Sequence, residues 1–443
     1  MPRLWFDKGT ILLKGEVGTP YGKWDARSGC YRLKASHYKD ALEYFKESRL
    51  RYEDDVPNLP PLEQVKSNVE LRNYQNKALD NWCRAAGKTF VALKAIDLLK
   101  TQTLIIVPTL DLIDQWRKRV RECLGLETGV VGGGENTIRM VTVSTYDSAY
   151  SQAPYLGNRF NFLVFDEVHH LASPGYMQIA EMYIAPYRMG LTATYERNDQ
   201  RHELLPLLVG DLVYSIGIEE LKDKHLSPYT YEKVSVELTN DEQRTYDTDM
   251  TTFKNYLRER RIVLKSAADF QKFIMTTGRD PHAREALLAR NKALKVAINS
   301  EAKLNLLAKK LEAYPNEKTL IFTLYNDLVY VISRRFLIPA ITYQTPREER
   351  REIMTNFGNG KYKIIVTSQV LDEGVDVPDA SVGIVLGGTG STREYVQRLG
   401  RLLRKKEGKT AKLIEIISKE TIEVGISRRR HQKTGETSKV ASQ

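Results

Sequence analysis

Gly87-Lys88-Thr89 opens an apolar stretch, Phe90–Leu99, that reads as a helix. The first turn of such a helix offers backbone N–H groups with no partner of their own. The lysine can reach outer phosphates, and the threonine hydroxyl can ligate Mg²⁺. Three residues alone are a weak signal. Further along, Phe162-Leu163-Val164-Phe165 runs into Asp166-Glu167-Val168-His169. An uninterrupted apolar run suits a strand buried on both faces, and the C-terminal end of such a strand is where α/β sheets bind ligands. There one carboxylate can hold Mg²⁺, usually through water, and its neighbour can polarise the attacking water. Taken singly, the first motif could be a simple turn and the second a surface acidic pair. Together they predict nucleotide hydrolysis.

Residues of this kind need sheets to hold them, and the chain order predicts two. Between about 70 and 225, the apolar runs Thr103–Val107, Ile138–Val143, Phe162–Phe165 and Arg188–Ala193 read as strands. Helix-length segments such as Leu110–Glu122 and Gly175–Tyr183 separate them. Between 301 and 426 the alternation returns, with strands expected at Lys318–Phe322, Lys361–Val366, Ser381–Leu386 and Ala411–Ile417. Strands divided by helices imply parallel sheets covered on both faces. A mostly helical, basic segment at 228–300 intervenes, with Arg258, Arg260, Arg261 and Lys265 close together. Beside Phe253 and Tyr256 these cations could grip phosphates while an aromatic stacks on a base. The competing reading is a solvated helix face above buried aromatics. Residues 1–60 form a small unit with a strand at Thr10–Glu16, a strand pair within Lys23–Lys34 and an amphipathic helix at Ser36–Ser48. Val56–Pro61 reads as a linker, and 427–443 as a frayed polar tail.

Composition sets the outer bounds. The 443 residues are 42% hydrophobic and 28% charged, as expected of a well-packed globular protein and not of a disordered or collagen-like chain. No apolar run approaches the roughly 20 residues that span a bilayer, and the start lacks a signal-peptide core, so a cytoplasmic protein without membrane contact is expected. Cys30, Cys83 and Cys123 are too scattered for a disulfide framework or a zinc site. The formal charge of +11 suits a polyanionic partner, because Lys and Arg release counterions from phosphates.

Seven segments then occur in a telling order: Leu71-Arg72-Asn73-Tyr74-Gln75; Gly87-Lys88-Thr89; Val107-Pro108-Thr109 with Gln115-Trp116; Asp166–His169; Thr192-Ala193-Thr194; Val366–Pro378; and Gln397–Arg404. In this order they resemble a superfamily 2 helicase over roughly residues 70–420. The small leading unit, the segment Thr192–Asp199 and the basic insertion make the chain similar to the XPB family, and to its short archaeal forms. The fold class implied is α/β: two RecA-like parallel-sheet motor domains, a small N-terminal α+β domain like the XPB damage-recognition domain, and a helical thumb-like insertion.

The resemblance implies an ATP-dependent DNA helicase or translocase, of expected 3'-5' polarity, that opens duplexes in nucleotide excision repair. It would act at single-strand/duplex junctions, with ATP and Mg²⁺ as cofactors. A repair nuclease is implied as partner, and the nucleoid of an archaeal cell as the place. By the same resemblance Arg72 and Gln75 recognise the adenine, while Gly87, Lys88 and Thr89 hold the phosphates and metal. Asp166 helps hold Mg²⁺, and Glu167 orients and deprotonates the water. Asp376, Gln397, Arg401 and Arg404 complete the site from the second motor domain. Thr192 and Thr194 couple hydrolysis to movement, with Arg197 and Asp199 lying where the family has an Arg-Glu-Asp motif; Arg258, Arg260 and Arg261 are the DNA-gripping positions.

Two departures stand out. Asn198 occupies the place of the family's Glu. Before Gly87 the family has an apolar strand and a Pro-Thr-Gly-x-Gly-Lys-Thr loop, whereas here Asn76–Ala86 reads as one helix, with Ala85 at the earlier glycine position. A helix whose N–H groups bond internally cannot cradle phosphates. Either internal residues are missing from the sequence or the ATP site is truncated; the intact arginines and acidic pair favour the first. Other classes stay open: a catalytically weak DNA-binding platform that recruits a nuclease, the motor subunit of a restriction system, or an RNA-directed motor, since backbone grip does not read bases.

Overall fold

Short strands of β-branched and aliphatic residues, each followed by an amphipathic helix, build most of this chain. The computed structural model describes residues 1–15, 17–71, 75–76, 88–192, 195, 197, 199–213, 229–368, 380–387 and 411–431. It divides into two units, Met1–Ser215 and Ile216–Gln443.

The first unit opens with a five-stranded sheet. Strands β1 (Arg3–Asp7), β2 (Thr10–Lys14), β3 (Gly22–Asp25), β4 (Cys30–Lys34) and β5 (Glu53–Asp55) lie in the order β3-β4-β2-β1-β5. Helix α1 (Tyr38–Glu47) turns Tyr38, Ala41 and Phe45 onto Leu4, Ile11, Leu13 and Leu33. The strand β1 is absent from the sequence reading because its burial does not alternate cleanly. Its turn into β2 uses positive φ at both Lys8 and Gly9, as a two-residue hairpin requires. A Cβ on Gly9 would also collide with Met182, so this turn packs directly on the neighbouring layer. Ile184 enters the small core, and Lys34 Nζ meets Glu181 Oε1 at 2.6 Å. Residues 56–61, expected as a linker, are instead pinned: Asn158 Nδ2 donates to Val56 O at 2.8 Å and Gln102 Nε2 to Pro60 O at 2.7 Å.

The rest of this unit is a six-stranded sheet. In chain order come helix α2 (Lys88–Leu99), β6 (Thr103–Val107), α3 (Leu110–Leu124), β7 (Gly129–Gly132), β8 (Glu135–Thr137), β9 (Val141–Thr145), α4 (Tyr146–Leu156), β10 (Phe162–Asp166), α5 (Met177–Met182) and β11 (Tyr187–Leu191). The strand order is β11-β10-β6-β9-β7-β8, parallel except for the β7–β8 hairpin. Strands β6, β9 and β10 are buried throughout because α2 and α3 cover one face and α4 and α5 the other.

The second unit repeats the theme. Its six strands are β12 (Tyr229–Val236), β13 (Thr319–Phe322), β14 (Ala340–Ile341), β15 (Ile364–Thr367), β16 (Val382–Val385) and β17 (Ala411–Ser418). All pair in parallel, in the order β12-β17-β16-β13-β15-β14. Thus the start of 228–300, expected as part of a helical insertion, is an edge strand of this sheet. Alternation in Tyr229–Val236 is masked by its polar residues, and only pairing along β17 defines it.

The helices α6 (Asn240–Glu259), α7 (Ala267–Thr276) and α8 (Pro281–Ile298) form a small bundle. Thr239 with Glu242 and Ser266 with Asp269 make capping boxes, and Asp280 caps α8 ahead of Pro281. Ala283, Ala286, Ala293 and Ala297 give α8 a flat face against which Phe253, Tyr256 and Phe273 pack. Phe253 and Tyr256 are therefore core residues, and Tyr256 Oη donates to Asp280 Oδ2 at 2.9 Å. Neither is available to stack on a base; the buried-aromatic reading holds.

The expected fray at Ser427 is also corrected. Helix α9 (Glu301–Ala313) and helix α10 (Ile422–His431) are tied by a buried ion pair, Lys303 Nζ to Glu423 Oε2 at 2.6 Å. Lys303 also donates to Leu386 O, and Ser418 N to Glu423. Ser427 is itself buried and donates to Glu415 Oε2 at 3.1 Å. Removing one partner of such a pair strands a charge in the core. Lys303→Met should lower unfolding stability by about 3–5 kcal/mol, and Lys303→Met with Glu423→Leu should recover much of it. Denaturant titration of the full chain measures both; an unaltered midpoint for the single variant would mean that the pair is not an anchor.

Candidate active site

Strand β10 delivers Asp166 at its last position and stops there. Glu167 follows in the left-handed region, at φ 48 and ψ 57, and a single 3₁₀ turn, Val168–His170, carries the chain away. The tight turn needs space beside it. Gly190 on β11 leaves that space, since a Cβ there would lie 2.8 Å from Val168 Cγ2. A non-glycine residue held at positive φ is strained, and such strain collects where side-chain aim matters.

The two carboxylates are held differently. Asp166 is buried, and Trp116 Nε1 donates to its Oδ2 at 2.9 Å while Glu167 N donates to its Oδ1 at 3.0 Å. Tyr146 Oη donates to the Asp166 carbonyl at 3.0 Å, fixing the strand end as well. Glu167, its side chain 13% exposed, accepts at Oε2 from Thr192 Oγ1 at 3.1 Å. His169 Nδ1 lies 3.1 Å from the same hydroxyl. The hydroxyl has one hydrogen, given to Glu167, so His169 Nδ1 meets it as a donor in the tautomer that carries its hydrogen there. Thr192 sits directly after β11, so the end of β11 is bonded to the turn that follows β10.

Arg197 joins the cluster from the following loop. Its guanidinium grips Asp199 with two bonds of 2.8 and 2.7 Å and also donates to the His169 carbonyl. That fork holds the Asp199 carboxyl down to about 2, well below its ordinary value. Arg197 and Asp199 are thus partners of each other, and they brace the loop against the acidic turn.

Gln75 is buried, Thr89 is half-buried in the first turn of α2, and Lys88 begins that helix. Asp166 offers a hard carboxylate oxygen to a divalent cation, and the Thr89 hydroxyl is a second hard oxygen, in the first turn of α2. Asp166 accepts from Trp116 at Oδ2 and from Glu167 N at Oδ1, and a carboxylate oxygen can accept more than one hydrogen, including that of a metal-bound water. The site therefore fits Mg²⁺ held largely by water and phosphate. Arg72, Gly87, Thr194, Asp376, Gln397, Arg401 and Arg404 lie outside the described residues, as do Asn198 and the short stretch before Gly87.

Arg258 and Arg260 close α6 and Arg261 follows it at φ 51, all exposed. Among the described residues only Arg260 of the three pairs with a carboxylate, Asp280 at 3.7 Å. Sequence reading left Trp116, Tyr146 and His169 without a role. For Trp116 and His169 the signal was their place inside motifs already singled out; Tyr146 gave none. No described helix is long and apolar enough to cross a membrane.

Known proteins bear on this arrangement. Residues 4–56 match the family described as Xeroderma pigmentosum group B helicase damage recognition domain. Residues 68–197 match Type III restriction enzyme, res subunit, and 302–406 match Helicase conserved C-terminal domain. The DNA 3'-5' translocase XPB2 of Sulfurisphaera tokodaii is 44% identical over 98% of this chain and 100% of its own length. The putative DNA 3'-5' helicase Rad25 of Haloarcula marismortui is 28% identical over 76% of this chain, which spans 51% of that protein. The crystal structure of the Pyrococcus furiosus Hef helicase domain superposes with a TM-score of 0.52 at 17% identity, covering 82% of this chain and 98% of that one. That last likeness speaks for the fold alone.

Proposed function

This chain belongs to the XPB family of superfamily 2 helicases, and from that premise we propose that it is an ATP-dependent DNA helicase or translocase. Its direction is 3'-5', as in the names of its relatives. The observation that carries the proposal is the Asp166-Glu167 pair at the end of β10, with Glu167 bonded to Thr192 at the end of β11. An ATPase assay on the full chain, with and without DNA, tests it; a rate indistinguishable from buffer under both conditions overturns it.

In this reading Glu167 orients the attacking water and takes its proton. Bound Mg²⁺ would neutralise phosphate charge beside Asp166 and Thr89. Lys88 and Gly87 hold the phosphates, Arg72 and Gln75 the adenine, and Asp376, Gln397, Arg401 and Arg404 add donors and positive charge to the reacting group. When Glu167 turns toward water its bond to Thr192 must weaken, so hydrolysis is felt at the end of β11. Arg197 and Asp199 lie next in sequence, with Thr194 between them and Thr192, which makes this segment the route from chemistry to DNA.

The domains we assign are 1–60 for damage recognition, 70–225 and 301–426 for the motors and 228–300 for the thumb-like insertion, its first strand lent to the second sheet. Residues 427–443 end the chain. The partner proposed is DNA at a single-strand/duplex junction, together with a repair nuclease, in the nucleoid of an archaeal cell during nucleotide excision repair. A restriction motor is disfavoured: the match to the res subunit covers only 68–197, whereas the Sulfurisphaera relative aligns over nearly the whole chain.

The insertion supplies a further expected result. If Arg258, Arg260 and Arg261 touch phosphates, removing any one guanidinium flattens the slope of log K against log salt by a bit under one unit. The triple change to Ala should therefore flatten that line while DNA-free ATPase survives. DNA titrations at several salt concentrations decide: parallel lines mean that these arginines do not grip DNA.

A further inference from the structure

Trp116 is 2% exposed and packs among the aliphatic side chains between α3 and the sheet. A buried indole must place its N–H on an acceptor, and most carbonyls around it are engaged in helix and sheet. Here the acceptor is Asp166 Oδ2, at 2.9 Å. The opposite oxygen, Oδ1, accepts from Glu167 N at 3.0 Å. With its two oxygens held by these two donors, the carboxylate cannot rotate about its Cβ–Cγ bond without breaking both bonds. The Glu167 amide is fixed by the turn itself, but the indole arrives from a helix 50 residues away in sequence.

We propose that Trp116 is a positioning residue for the metal-holding carboxylate: its indole N–H sets the plane of Asp166 and ties that plane to helix α3. The proposal rests on reading Asp166 as the group that holds the divalent cation. Groups of this kind, one shell behind a ligand, commonly change metal affinity when altered, because they set ligand orientation. Helix α3 follows the Val107-Pro108-Thr109 segment, so any shift of that helix would turn the Asp166 carboxylate with it.

Trp116→Phe keeps an aromatic ring in the core and removes only the donor and part of the ring. In the full chain, titration of Mn²⁺ in the presence of ADP, followed by electron paramagnetic resonance, should show half-saturation raised about tenfold. ADP binding in EDTA should be unchanged, and the Mg²⁺ requirement of the ATPase should rise in step. A second measurement keeps the indole and changes its acceptor instead. The Trp116 indole ¹⁵N–¹H resonance should move when Asp166→Asn replaces the charged acceptor. Unchanged Mn²⁺ half-saturation in Trp116→Phe, or an indole resonance indifferent to Asp166→Asn, would overturn the proposal and leave Trp116 as packing. Failure of the wild-type chain to bind Mn²⁺ with ADP would instead overturn the nucleotide reading on which the proposal rests.

Discussion

Glu167→Gln should lower ATP turnover by at least about a hundredfold while nucleotide and DNA binding persist, as loss of a general base predicts. The amide is nearly the size of the carboxylate and its oxygen can still accept from Thr192, so the turn after β10 keeps its shape. What disappears is basicity: an amide cannot take the proton of the attacking water. The position gives the physical reason to expect so large an effect. Glu167 follows the end of β10 with its backbone at positive φ, so its side chain leaves the sheet in a direction that no regular strand residue could take. Single-turnover hydrolysis beside equilibrium nucleotide binding separates the two roles. Turnover within a few-fold of wild type would remove Glu167 from water activation and leave the Thr192 contact as a structural bond.

Arg404→Ala should cost still more, roughly 3–5 orders of magnitude in turnover if Arg404 acts as a full arginine finger, and less if Arg401 substitutes for it. The segment Gln397-Arg398-Leu399-Gly400-Arg401-Leu402-Leu403-Arg404 places these two arginines at a spacing of three, on one face if helical. Charge builds up on the departing phosphate as the bond breaks, so a fixed guanidinium stabilises the transition state far more than bound ATP. ATP affinity should therefore change little beside the rate. Loss of affinity at an unchanged rate would make Arg404 a ground-state ligand, and Arg404→Lys would then restore much of the binding through charge alone.

Much of this protein was legible in its residue order. Uniformly apolar runs such as Thr103–Val107 and Phe162–Phe165 announce central strands, because a strand covered on both faces has no polar side to show. Their ends then name the candidate site, since parallel sheets bind ligands there; Asp166 and Glu167 needed no coordinates. Boundaries were less exact where periodicity fails. Strand β9 lies later than the apolar run Ile138–Val143, its last residues being the polar Ser144 and Thr145, buried by their neighbours. Strand β12 is invisible until β17 lies beside it.

Partnership across long sequence distance was decided only in three dimensions. Trp116 and Asp166 are 50 residues apart, and Lys303 and Glu423 are 120 apart. A hydrogen bond or ion pair of this sort leaves no periodic trace in either segment, because its geometry is set by how helices settle on sheets. The same holds for Phe253 and Tyr256, whose neighbouring arginines suggested a nucleic-acid face. Their burial is settled by the flat alanine face of α8, which lets two helices approach closely enough to enclose them. Residue type and spacing determine which elements form and which chemistry can stand at their ends. Packing decides which side chains are held, by what, and which are left free to act.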